Sequence, residues 1–217
     1  MSFQFSKWMV LPAAVLLLGT VAMGQDTTST GSSTQGTTTT APATKPTIAQ
    51  RKENQQDRIA NGVQSGQLTA GETSKLETKE AAINGETRAD RAANGGKLTA
   101  AEKQQINKQQ NQVSKQIYND KHNANTAQYG NSKVGQRQEN QQDRIAQGIK
   151  SGQLTAGETA KLENQQKGIN QQVKADRAAN GGKLTAGEKK QVNKEQNAAS
   201  KNIYNKKHNA NTQQPKK

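Results

Sequence analysis

Oxygen-bearing side chains recur along this chain at a spacing that suits a hard divalent cation. A twelve-residue calcium loop draws ligands from positions 1, 3, 5, 7 and 9, turns at a glycine at 6 and closes on a glutamate at 12. Counting back from Glu72 puts Asn61 at position 1, Ser65 at 5, Gly66 at 6, Leu68 at 8 and Thr69 at 9. The stretch ending at Glu158 repeats this with Ser151 and Thr155, and those ending at Glu102 and Glu188 keep the glycine and the glutamate. The candidate metal ligands are therefore Asn61, Ser65, Thr69, Glu72, Glu102, Ser151, Thr155, Glu158 and Glu188, and the cation they suit is calcium, held weakly.

The ligand set is thin. Each stretch offers one carboxylate within its twelve positions, and calcium affinity tracks ligand charge. Val63 and Ala93 fill position 3 with no oxygen, Arg91 and Arg177 put a cation at position 1, and Asp90 and Asp176 stand one place out of register. A competing reading explains the same residues without metal. Thr69-Ala-Gly-Glu72 and Thr99-Ala-Ala-Glu102 are capping boxes, in which threonine and glutamate satisfy the first orphan amides of a helix. Other chemistry finds less support. Ser114, Asp120 and His122 could suggest a triad, but the corresponding stretch downstream carries Lys206 in place of Asp120. With two histidines and no cysteine, a zinc site is not expected. No phosphate loop or nucleophile elbow is present, so the expectation is a protein that is not an enzyme and carries no cofactor.

The elements that would hold these residues come in two copies. Glu53 to Thr126 matches Glu139 to Thr212 at an offset of 86, with 53 of 74 positions identical. Within the first copy the apolar spacing predicts helices from about Ile48 to Val63, from after Thr69 to about Ala92, and from after Thr99 to near His122-Asn123. Ser65-Gly66 and Asn94-Gly95-Gly96 break them. The large apolar set is small: Ile59, Val63, Leu68, Leu76, Ile83, Leu98, Ile106, Val113, Ile117 and Tyr118. A core so sparse predicts a marginal fold and makes self-association attractive, because pairing buries more apolar area.

Ahead of the copies, residues 1–24 read as a signal peptide: Lys7, an apolar run from Trp8 to Val21, then Ala22 and Gly24 at the small-residue positions. Residues 25–47 are rich in Ser, Thr and Gly and read as a disordered stalk. The expected layout is therefore signal peptide 1–24, stalk 25–47, helical unit 48–126, linker 127–138 with Gly130 and Gly135, helical unit 139–212 and basic tail 213–217. The helix–loop–helix strings, DRAANGGKLTAAE above all, are similar to those of uncharacterised secreted bacterial proteins with degenerate EF-hand-like repeats. That resemblance covers Ile48 to Thr212. It implies an all-α fold of two tandem three-helix units and says little about activity.

The full chain carries a net charge of +14. A basic exported protein can dwell on anionic surfaces, polymers or lipid headgroups. Specific nucleic-acid recognition is not expected, since the first copy is near neutral and aromatics for stacking are few. Neither is a membrane span after processing. The charge reading competes with a bland one, in which lysines solvate a Gln-rich surface. The expectation is a non-enzymatic binding or structural protein, periplasmic or extracellular, with anionic polymers or headgroups as partners. The alternatives are low-affinity calcium binding through the degenerate loops and a hydrophilic disordered protectant.

Overall fold

The structure is a computed structural model and describes residues 45–213. The expected signal peptide, nearly all of the expected stalk and the residues after Gln213 lie outside the described residues. The described chain is all-helical, with no strand: α1 (Ile48–Gln64), α2 (Ala70–Ala93), α3 (Ala100–Lys121), α4 (Lys133–Lys150), α5 (Ala156–Ala179) and α6 (Ala186–Lys207).

Local chemistry sets the boundaries. Thr47, Thr69, Thr99, Thr155 and Thr185 each accept from the amide three residues on, while the Gln or Glu at that place reaches back to the cap amide. α4 differs, with Ser132 as a simple cap. It begins six residues inside the segment expected to be a linker. Gly135 is therefore buried in a helix, where a Cβ would meet the Tyr129 carbonyl oxygen at 1.9 Å. The glycine serves close backbone approach, not flexibility. After α1 and α4 the chain turns at Gly66 (φ 71) and Gly152 (φ 73), a conformation that disfavours a Cβ. The segment following α3 returns to the first turn, with the Ala127 amide donating to the Gly66 carbonyl (2.8 Å). Gln213 does the same to Gly152 (2.9 Å).

Within each repeat the three helices touch one another. Across the repeats α1 packs on α4 and, most extensively, α2 packs on α5. α1 and α2 thus meet their own counterparts, the pattern of an approximate two-fold relation, while α3 and α6 lie apart on the outside of it. Ser74 lies at the crossing: its hydroxyl donates to the carbonyl of Ala160, 86 residues on (3.2 Å). One apolar cluster draws on both repeats, from Ile59, Leu76 and Ile117 to Ile145, Leu154, Leu162 and Ile203. A second, smaller cluster holds Val134, Ile169, Val173, Leu184, Val192 and Ala199. Sparse apolar content is offset by pairing, and the pairing happens inside one chain.

Two sequence expectations change here. Tyr118, counted among the large apolar residues, is 59 % exposed. The glutamines are not a uniform solvated surface, for Gln55, Gln56, Gln110, Gln138, Gln141, Gln142, Gln166 and Gln196 are buried. Buried amides need partners, and these tie helices together. Gln55 donates to the Gln110 carbonyl (2.7 Å) and the Ser114 hydroxyl (3.0 Å), and Gln110 donates to the Ile48 carbonyl (2.9 Å). Gln141 and Gln196 repeat the bonds to Gln196, Ser200 and Val134.

The α2–α5 seam also holds carboxyls. Glu77, Glu80 and Glu163 are fully buried. Gln56 donates to Glu77 Oε2 (3.1 Å) and Gln142 to Glu163 Oε2 (2.9 Å). Among the described residues nothing donates to Glu77 Oε1, Glu163 Oε1 or either oxygen of Glu80. Burial holds Glu77 well above the ordinary glutamate value, with the charges of Glu80 and Glu163 adding to the effect. Burial likewise pushes Glu163 up to about 8. Glu80 rises to about 7 by burial, opposed by the nearby Lys52 ammonium.

Candidate functional site

The loop residues singled out as cation ligands sit at helix boundaries. Asn61 is exposed on the last turn of α1. Its position-3 neighbour Val63 is buried in the core, so the first third of the expected loop is helix. Ser65 donates to the Gly62 carbonyl (3.3 Å), and Ser151 to the Gly148 carbonyl (3.4 Å). Thr69 and Glu72 do come together. Glu72 Oε2 accepts from the Thr69 amide (2.9 Å) and hydroxyl (2.7 Å), while Oε1 accepts from Asn123 (2.7 Å) and Asn125 (3.3 Å). Thr155 and Glu158 repeat this, with Asn209 on Oε1 at 2.6 Å. Glu102 and Glu188 accept from the Thr99 and Thr185 amides and from Asn94 and Asn180.

All four carboxyls lie below the ordinary glutamate value. Burial raises Glu72 and Glu158, but the donors around them together outweigh it. For Glu102 and Glu188 the threonine amide is the main cause. Such carboxylates are ionised and already occupied by donors. Among the described residues no three His, Cys, Asp or Glu side chains gather where they could hold a metal ion.

A different constellation recurs outside the core. On α3 and its C-cap, Lys108, Asn111, Lys115, Tyr118 and His122 follow one another at intervals of three or four, which places them along one side of the helix. Lys194, Asn197, Lys201, Tyr204 and His208 do the same on α6 and its C-cap. All ten are exposed. Tyr118 and Tyr204, at 59 % and 60 %, are the exposed large hydrophobics of the described residues. Each tyrosine stacks on its histidine with ring centroids 4.2 Å apart. Each histidine Nδ1 lies 2.7 Å from the tyrosine carbonyl, which can only accept, so the proton is on Nδ1.

The first helix of each repeat braces this stripe. Arg51 donates to Asn111 Oδ1 (2.7 Å) and Arg137 to Asn197 Oδ1 (3.0 Å). Arg58 donates to the Ser114 carbonyl (3.1 Å) and Arg144 to the Ser200 hydroxyl (3.0 Å). Cations, amides and a flat aromatic on one solvated face can meet anionic and hydroxyl-rich groups. They supply no nucleophile with a base. Sequence reasoning noticed the histidines but not the stripe, although its signal was present: five non-core residues kept at the same intervals in both copies. Searches against protein-family models, curated proteins and solved structures gave no match to the chain.

Proposed function

We propose that the chain is an exported, non-enzymatic protein, periplasmic or extracellular, whose two three-helix repeats attach it to anionic surfaces or polymers through the stripes on α3 and α6. The observation that carries this reading is the recurrence of an exposed Lys-Asn-Lys-Tyr-His face in both copies. Core packing constrains Ile106, Val113 and Ile117, which are fully or almost fully buried. It places no such demand on residues facing water.

Exposed lysines on one face raise the local concentration of anions, and each contact to a polyanion displaces a counterion, so affinity falls steeply with salt. Two stripes on one body add avidity, because the second engagement is intramolecular. The second repeat should be the stronger partner, since α6 carries six lysines against two glutamates. The test is retention on a polyanionic polysaccharide and co-sedimentation with anionic vesicles over a salt series. Replacing Lys108, Lys115, Lys194 and Lys201 by Gln is expected to weaken binding by tenfold or more, on the order of the loss several phosphate-type contacts would give. A variant that binds as the parent does would refute the assignment.

A further inference from the structure

The packing of α2 against α5 leaves two hollows outside the stripes. One, of about 700 Å³, lies among the start of α2, the segment after α3 and the body of α5. The other, of about 570 Å³, lies among the start of α5, the segment after α6, the body of α2 and the start of α1. They are counterparts. Lys75, Lys174 and Arg177 line the first where Lys161, Arg88 and Arg91 line the second.

Each hollow has a fourth cation, and here the copies differ. Lys167 lines the first, while its counterpart Ala81 lines the second. Lys52 lines the second, while its counterpart Gln138 lines the first. The residue positions have diverged and the charge inventory has not. In both, four cations and one carboxylate, Glu72 or Glu158, line the hollow, and behind the lining Asp120 lies near Lys75 and Glu80 near Lys52, which leaves each hollow cationic at its surface. The lining carboxylate is committed to its own helix cap and to asparagine donors. Four like charges around one concavity repel unless an anion joins them. The volumes fall in the range of small-molecule sites.

We propose that these hollows are two anion-binding clefts, each taking a short multivalent oxyanion of the phosphate-ester class. The clefts use none of the stripe lysines, so this site stands or falls separately from surface attachment. A ligand there touches both repeats at once and binds only where they are packed together, so it stabilises the folded chain.

The probe is sodium tripolyphosphate, titrated calorimetrically into the purified chain at low salt and followed by thermal melting. Two sites per chain and a raised melting temperature are expected. Lys75→Gln with Lys174→Gln should remove one site, and Arg88→Gln with Lys161→Gln the other. All four side chains are exposed, and helical circular dichroism checks that the fold is kept. Lys194→Gln with Lys201→Gln should keep both sites while losing polymer retention. Orthophosphate should bind about tenfold or more weakly, lacking the second charge-assisted contact. Absence of saturable binding overturns the proposal. So does a loss that follows total charge alike in cleft and stripe variants, which would mean diffuse ion condensation.

Discussion

Glu163 carries the sharpest consequence at the scale of single residues. Its carboxyl is held at about 8 by burial, against an ordinary value of 4.5. The folded state therefore holds a proton that the unfolded state releases first, and stability falls as pH rises from about 4.5 through about 8. Glu80, held at about 7, acts in the same direction. The capping glutamates act oppositely: their values are lowered, so their contribution is present above the ordinary value and lost as acid protonates them. The melting temperature should thus peak near pH 5 and drop toward pH 9. Glu163→Gln should flatten the alkaline side, by about 3–5 kcal/mol at full linkage. An unchanged alkaline slope in that variant would place the titration elsewhere. At the caps, Thr155→Ala should cost about 1 kcal/mol, read from chemical denaturation.

At the scale of elements, the helices were largely legible from sequence. The boundaries at Ile48, Thr69 and Thr99 fall within a residue or two of expectation, because a capping box is a strictly local device. The start of α4 was not legible. There the copies have diverged, and Gly135 stands where the first repeat has Ala49, so neither the repeat nor a glycine-based reading pointed to helix. Apolar periodicity also weighs Gln and Glu as solvent-facing. It could not show that Gln55, Gln141 and Glu163 point inward, since their burial depends on partners on other helices. Tyr118 shows the converse error, an aromatic at helical spacing that faces water. The α4–α5 turn offers a test of close packing. A Cβ on Gly148 would lie 2.6 Å from Leu154 Cδ1, and Leu154 is fully buried with nowhere to retreat. Gly148→Ala should therefore destabilise by roughly 1–3 kcal/mol, measured as a lower denaturant midpoint.

At the scale of the whole molecule, the duplication builds more than two copies of a unit. Neither the α2–α5 seam nor the clefts beside it exist in one repeat, which is why residue spacing within a repeat could not reveal them. The largest apolar cluster takes residues from all three helices of the first repeat and all three of the second, so damage to one repeat should be felt in the other. The direct measurement is native-state amide hydrogen exchange on the parent and on Leu162→Ala, a change in α5 costing roughly 2–5 kcal/mol. A shared core requires that protection in α1 and α2 of the first repeat fall together with that of α4 and α5. If α1 and α2 kept their parent protection while only the second repeat opened, the repeats would be independent, and the seam would hold nothing together.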